Sequence, residues 1–584
     1  SQLLTTILSL VLALALFSVP TYCQKQASVY KLSPVLAAKI DSMRSTGTYL
    51  FRIMIAGKEL PQQLRLAKLN ARKVVEYDSV SFYLIDASMR QLIDLILPLP
   101  KVLFVEDGTR VPKEETQVNN LDLSTNRINV VHHRFPQWNG DGLTISIKEN
   151  KPDTTDIDFA GRYLTTTLSS PVTSDHATNM ATMIAGGGNS WYLGKGAAWG
   201  AVISSSDYSR LLPDPNAVLK QYNISVQNHS YGVDIENFYA PDAGAYDESV
   251  INNPSLLHIF SSGNSGTLAS TTGAYAGITG FANLTGSFKM AKNILTVGAT
   301  DSFSSVAPQS SKGPAFDGRV KPELVAFGID GSSGAAALVS GVSLMLQQQY
   351  KQLNGTLPAN ALIKAVLLNS ADDCGNKEVD YSNGFGSLNA LNAVNNIQLG
   401  RYVDGAVSSG ATQSFTLAVP AGIKKIKITL VWNDPPATAN AVKALKNDLD
   451  LLLVNNATNE SWKPWVLNPF PQVDSLQQPA TRKRDSLNNV EQVTLNNPAA
   501  GNYDVTVKGY EVSDKQSFYI AYQFDSTDKF EWHFPTASDP VFSAAANTLR
   551  WNSSYREAKG KLDYSVDNGS TWQMIDPAVN LTAG

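Results

Sequence analysis

Gly331-Ser332-Ser333-Gly334-Ala335-Ala336-Ala337 is a glycine-rich turn that runs directly into a long stretch of strong helix formers. It sets the Ser333 hydroxyl at a predicted helix N-terminus, where unpaired backbone N–H groups and the helix dipole favour negative charge on a neighbouring atom. Upstream, Ser174-Asp175-His176-Ala177-Thr178-Asn179-Met180-Ala181 puts a histidine at the start of another small-residue helix. Further upstream, the strand-like Ile145-Ser146-Ile147-Lys148 ends on the acid Glu149. Hydroxyl, imidazole and carboxylate are the parts of an activated nucleophile: the imidazole takes the hydroxyl proton and the carboxylate orients the imidazole. Gly-Ser-Ser-Gly alone is ordinary loop chemistry, so the reading depends on the three stretches together.

The chain order acid, histidine, serine is that of the subtilisin triad, and the flanking residues extend the likeness. Glu149-Asn150-Lys151 followed by Asp158-Phe159-Ala160-Gly161-Arg162 resembles the subtilase pattern Asp-Thr-Gly with its Asp-Phe-x-Gly-Arg tail, with glutamate where the family has aspartate. The histidine stretch is similar to His-Gly-Thr-His-Val-Ala-Gly, departing at Ala177, Asn179 and Thr182, and the serine stretch to Gly-Thr-Ser-Met-Ala-x-Pro, departing at Ser332, Gly334 and Ala337. Ser262-Gly263-Asn264-Ser265-Gly266 resembles the family's Ala-Gly-Asn-x-Gly, and Asn228-His229-Ser230-Tyr231-Gly232 its specificity-pocket strand. Ser311-Lys312-Gly313-Pro314 and Asp317-Gly318-Arg319-Val320-Lys321-Pro322-Glu323 resemble a further segment.

The resemblance implies that Ser333 is the nucleophile, His176 the general base, Glu149 the acid and Asn264 the oxyanion donor, with Asp153 as the alternative acid. It implies substrate binding by Ser230, Tyr231, Gly232, Ser262 and Gly263, and no cofactor for catalysis. Only four residues separate Gly328 from Ser333, fewer than subtilases usually carry, so a substrate loop is trimmed there. Of the six histidines, His176 occupies a motif; His132 and His133, beside Arg134, are expected in a solvated segment.

A chain of 584 residues implies several domains. Residues 1–23 read as a signal peptide: Leu3 to Val19 is apolar but short for a membrane span, and Cys23 lies at the expected cleavage point, leaving Cys374 without a disulfide partner. Residues 24–115 alternate strands (Tyr49–Met54, Ser81–Ile85, Val102–Glu106) with a helix over Ala87–Leu97, an α+β unit resembling the subtilase prodomain; Glu114 to Asn126 is the predicted linker and maturation region. From 129 to 397, apolar strand-like runs alternate with helices, the pattern of an α/β fold with a parallel sheet covered on both faces. Residues 400–524 switch to period-two alternation, a β-sandwich signal, and look like the jelly-roll domain of some bacterial subtilases. The loop from Asn455 to Asn488, with Trp462 and Trp465, is expected to cover the sandwich, and 525–584 to form part of a further small β-domain with an Asn568-Gly569 hairpin turn.

A formal net charge of -4 argues against a nucleic-acid partner, and the basic cluster Arg482-Lys483-Arg484 is expected to be simply solvated. The expectation is a secreted or cell-surface bacterial serine endopeptidase made as a zymogen, monomeric, acting on proteins or peptides and without a membrane anchor in its mature form. The alternative is a catalytically impaired subtilase-like binding or adhesion protein. Asp434, Asp448, Asp450 and Asp485 near strand ends offer hard oxygen ligands for structural calcium.

Overall fold

The structure, a computed structural model, describes residues 30–44, 47–77, 79–114, 121–543, 545–555 and 559–581; the predicted signal peptide and residues 115–120 of the predicted linker lie outside the described residues. The N-terminal unit is a four-stranded antiparallel sheet, β1 (Thr48–Ala56), β2 (Asn70–Glu76), β3 (Val80–Ser88) and β4 (Val102–Asp107), in the order β2-β3-β1-β4. Helical turns lie over Met89–Ile96, beginning later than the sequence suggests because Ala87 and Ser88 stay in β3. Ser88 caps the first turn reciprocally with Gln91, which fixes that boundary. Past β4 the chain forms a short strand, β5 (Lys113–Glu114).

The next unit is built on six parallel strands: β6 (Thr144–Lys148), β7 (Val202–Ser206), β8 (Ile224–His229), β10 (Leu257–Ser261), β11 (Leu295–Thr300) and β12 (Leu324–Phe327), with the two-residue β9 (Tyr231–Gly232) between β8 and β10 in sequence. The sheet order is β12-β11-β10-β8-β6-β7. Every residue of β8, β10, β11 and β12 is buried, as strands covered on both faces require. On one face, Ile145, Ile259 and Val297 share a core with α1 (Asp175–Ala185) and α3 (Ser332–Asn354); on the other, Phe260 packs with Tyr246 of α2 (Pro241–Asn252) and with Phe288. This is the subtilisin-like α/β arrangement.

Two four-stranded antiparallel sheets come next along the chain: Tyr402–Ser408, Lys515–Ser526, Ile423–Val431 and Val490–Asn496 in one, and Thr412–Val419, Gly501–Glu511, Asp448–Asn455 and Ser461–Trp462 in the other. Alternate residues such as Ile426, Ile428, Leu430, Val505 and Val507 meet in a shared core. Trp462 stacks at a tilt on Tyr503, and the Trp465 ring lies under Arg482. The basic cluster is therefore not simply solvated: Arg482 covers Trp465, and Arg484 pairs with Asp448 and Asp450. Residues 559–564 and 573–580 pair as the hairpin the Asn568-Gly569 turn predicts, both turn residues having positive φ. Among the described residues no helix is long and apolar enough to cross a membrane.

Candidate active site

Ser333 lies in the first turn of α3 and is fully buried, its Oγ making no hydrogen bond to the described residues. The helix start is shaped by a tight approach. A side chain at Gly334 would put its Cβ 1.6 Å from the Ile329 carbonyl oxygen, so the shortened loop from Gly328 brings its own backbone against the helix where the family pattern has methionine. Gly331, with φ +63°, leaves room for the Asn264 amide, whose Oδ1 would stand 2.7 Å from any Cβ there.

Asn264 is held by its oxygen. Oδ1 accepts from the Ser332 backbone N–H at 3.1 Å and from Ser332 Oγ at 3.0 Å, and Ser332 Oγ also accepts from the Gly263 N–H at 3.1 Å. This fixes the amide with Nδ2 pointing the other way, buried and without a hydrogen-bond partner among the described residues. Ser311 braces the same loop, its Oγ accepting from Ser265 N–H at 3.0 Å and its N–H donating to Gly263 O at 2.8 Å.

Glu149 follows β6 and is fully buried; its Oε1 stands 2.8 Å from His176 Nδ1. His176 is the second residue of α1, a helix capped by Ser174 Oγ accepting from the Ala177 N–H at 3.1 Å. Within the Asp158–Arg162 stretch, Arg162 Nη1 donates to the carbonyls of Ala185 at 2.7 Å and Ala201 at 2.8 Å, tying the loop downstream of the acid to the end of α1 and the start of β7. Asp153 lies elsewhere, exposed, its carboxylate accepting from Thr155 N–H and Oγ1. Helices α1 and α3 pack on one another, so the histidine and serine open neighbouring helices.

The five residues expected to bind substrate divide in two. Ser230 Oγ donates to the Ser333 carbonyl at 2.9 Å and accepts from Asn228 Nδ2 at 2.9 Å, so its side chain braces the Ser333 backbone. The Tyr231 side chain is buried, its hydroxyl 3.3 Å from that of Tyr246, and burial raises its pKa; Tyr231 and Gly232 offer the cleft their backbone, on which β5 lies antiparallel, with Lys113 opposite Gly232 and Glu114 opposite Tyr231. Ser262 and Gly263 line the facing segment, Gly263 with φ +115°.

The four aspartates expected to bind calcium do not assemble. Asp434 pairs with the buried Lys292 and accepts from the backbone of Lys446 and Asn447. Arg484 holds Asp448 and Asp450, and Asp485 accepts from the N–H groups of Leu487 and Asn488. Among the described residues no group of three or more His, Cys, Asp or Glu is placed to hold a metal ion. Asp434, Asp448 and Asp450 are already paired with cations and Asp485 with backbone donors, which does not fit the calcium expectation. His132 also differs from expectation: it sits in a helix, Ile128–Arg134, against Ala197 O at 2.8 Å, and burial lowers its pKa to about 4.

A six-stranded parallel sheet flanked by helices, with acid, histidine and serine at the ends of one strand and the starts of two helices, defines a subtilisin-like serine-peptidase fold. Residues 118–386 match the model of the Subtilase family. Over 255 residues the chain is 27% identical to the serine protease/ABC transporter B family protein tagA of Dictyostelium discoideum, covering 35% of this chain and 14% of that protein. Over 146 residues it is 30% identical to tripeptidyl-peptidase 2 of Caenorhabditis elegans, covering 23% of this chain and 10% of that one. The chain thus spans a small part of the length of these relatives. Among solved structures, the self-cleaved protease domain of PatA aligns with 19% identity and a TM-score of 0.35, covering 44% of this chain and 98% of that one. The prenylagaramide maturation protease PagA aligns with 21% identity and a TM-score of 0.34, covering 43% and 93%.

Proposed function

We propose that this chain is an exported serine endopeptidase, made as a zymogen, with Ser333 as nucleophile, His176 as general base, Glu149 as the acid and Asn264 as oxyanion donor. The observation that carries this reading is the buried 2.8 Å contact between Glu149 Oε1 and His176 Nδ1, on a helix packed against the one that Ser333 opens. His176 takes the Ser333 proton as Oγ attacks a peptide carbonyl, and the developing oxyanion accepts from Asn264 Nδ2. The imidazolium then protonates the leaving amine, and water hydrolyses the acyl-enzyme by the same steps in reverse roles. The apolar run Leu3–Val19 supports export.

The zymogen reading is supported by β5, which lies as an added strand on Tyr231–Gly232 where an extended substrate would pair, so the N-terminal unit occupies the cleft until it is cut away. Cleavage between about Val105 and Asn126 then yields the mature enzyme. Labelling with a fluorophosphonate tests the reading, since only an activated serine reacts: the mature protein should label at Ser333, and Ser333→Ala should neither label nor process its own precursor. Normal processing of Ser333→Ala in a protease-free host would show that maturation is not self-catalysed, and absence of labelling in the wild type would favour a binding protein.

A further inference from the structure

The last residue of β6, Lys148, carries a charge into the interior of the sheet directly before Glu149. Side chains alternate along Thr144–Lys148, so Ile145 and Ile147 enter the core shared with α1 and α3, while Ser146 and Lys148 face the other side of the sheet. Glu149, next in line, turns toward α1 and meets His176. Lys148 Nζ donates to Asp214 Oδ1 at 2.8 Å, to Asp207 O at 3.3 Å and to Ser206 Oγ at 3.4 Å. Asp214 is buried too, and its Oδ2 accepts from Ser206 Oγ at 2.5 Å and from Gln227 Nε2 at 2.8 Å. Gln227 Nε2 also donates to Ser146 Oγ at 3.1 Å. One carboxylate therefore ties β6 to both its neighbours in the sheet, to β7 through Ser206 and to β8 through Gln227. No step of peptide hydrolysis uses this ammonium.

The anchor lies where the strand ladders stop. The register of β6 with β8 ends at Ile147, opposite Asn228, and its register with β7 ends at Lys148, opposite Ser206. Where the Glu149 carboxylate goes then depends on how the end of β6 is held. Glutamate stands where the family pattern has aspartate, so its carboxylate sits on a longer arm with one more rotatable bond to fix. A buried ion pair adds little net stability over an apolar pair of its size, so stability alone gives this one no purpose. With both partners hydrogen-bonded further, the pair has one arrangement, and that arrangement fixes the strand end. We propose that Lys148, clamped by Asp214, is a positioning residue: the pair pins the end of β6 so that the Glu149 carboxylate meets His176 Nδ1. This rests on the peptidase reading given above, in which Glu149 is the acid.

The test removes the pair at constant net charge, in the double variant Lys148→Met with Asp214→Asn, which keeps a side-chain oxygen facing Ser206 and Gln227. On a fluorogenic peptide its kcat should fall about 10- to 100-fold with KM within about threefold of wild type, the scale on which a misplacement of about 1 Å acts. The decisive comparison is the same double change in a Glu149→Gln background. Both backgrounds are read by the rate of fluorophosphonate labelling at Ser333, after maturation by an added metalloprotease where self-processing fails. In Glu149→Gln the further loss should be less than about twofold, because a residue acting through the Glu149 carboxylate has nothing left to position, whereas a general loosening of the fold would add in full. Should the double variant fail to fold, Ser206→Ala, which removes one hydrogen bond to Asp214, decides instead: kcat should fall about two- to fivefold, and labelling should be unchanged by it in Glu149→Gln. A wild type that labels, with an unchanged kcat in these variants or an equal loss in both backgrounds, overturns the role of Lys148 and leaves the peptidase reading standing. A wild type that neither labels nor cleaves overturns both.

Discussion

Replacing Glu149 by glutamine removes one charge from a fully buried site and changes almost no volume. Its Oε1 faces His176 Nδ1 at 2.8 Å, so a protonated imidazole and the carboxylate have charge centres on the order of 4 Å apart. At an effective dielectric of about 20 such a pair attracts by about 4 kcal/mol. The attraction exists only when His176 carries the proton from Ser333, so it lowers the barrier rather than tightening substrate binding. About 4 kcal/mol is a factor of roughly 1,000 in rate. The amide can also present its NH2 to Nδ1 and select the wrong tautomer, the effect behind the roughly 10,000-fold loss seen for the equivalent change in chymotrypsin-type enzymes. The expected result for Glu149→Gln is therefore a fall in kcat of more than about 100-fold with KM little changed, read with a fluorogenic peptide and checked by the rate of fluorophosphonate labelling. Glu149→Asp should keep part of the activity, and Asp153→Asn, at an exposed side chain bonded to Thr155, should be mild. If Glu149→Gln stays within about tenfold of wild type while Asp153→Asn abolishes turnover, the charge-pair argument is wrong.

At the junction of the N-terminal unit and the parallel α/β unit, Arg52 and Arg110 face three acids, Glu106, Glu236 and Asp242, and burial raises the pKa of Glu106 to about 7. Docking therefore takes up a proton: the Glu106 contribution is fully present below its ordinary 4.5 and is lost as pH rises through 7, so gel filtration of the processed complex should show the N-terminal unit released more readily at pH 8 than at pH 5, and Glu106→Gln should flatten that dependence. Asp434→Asn leaves the Lys292 ammonium buried without its carboxylate and should cost about 3 to 5 kcal/mol in denaturant unfolding; a loss below about 1 kcal/mol would contradict the pairing. Chelation should leave the melting temperature unchanged, because Asp434, Asp448 and Asp450 already have protein cations; a drop on adding EDTA would restore the calcium reading. Gly334→Ala should lower both melting temperature and kcat, since its Cβ would overlap the Ile329 carbonyl; a neutral outcome would mean the loop yields freely.

The parallel sheet was legible because fully buried strands read as apolar runs, and the meeting of Glu149 with His176 because short motifs carry both residues. The sequence is less informative where an element is defined by its neighbours. Strand β2 contains Arg72, Lys73 and Glu76 and is mostly exposed; it forms because β3 offers an edge to pair with. His132 sits beside His133 and Arg134 in sequence, a pattern that suggests solvent, yet the helix turns it onto the Ala197 carbonyl. Arg484 belongs to a basic run but lies across the Tyr510 ring between two aspartates brought from a distant strand.

The departures at the serine motif are linked by geometry. With four residues between Gly328 and Ser333, the loop cannot arch away from the helix it feeds, and its Ile329 carbonyl comes to rest over the first turn. A methionine at position 334 has no room there; glycine does. The same shortening carries Gly331 against Asn264, where a second glycine and the small Ser332 let the amide oxygen take two donors from one residue. Threonine in the family pattern and serine here both supply a hydroxyl, so the substitution costs the Asn264 bracket nothing it uses. The altered residues are thus those the shorter loop requires, and they leave Ser333 at the helix start and the Asn264 amide nitrogen turned away from its own bracket. Departures that a backbone constraint explains are weak grounds for reading the site as decayed, which favours the peptidase over the binding-protein alternative.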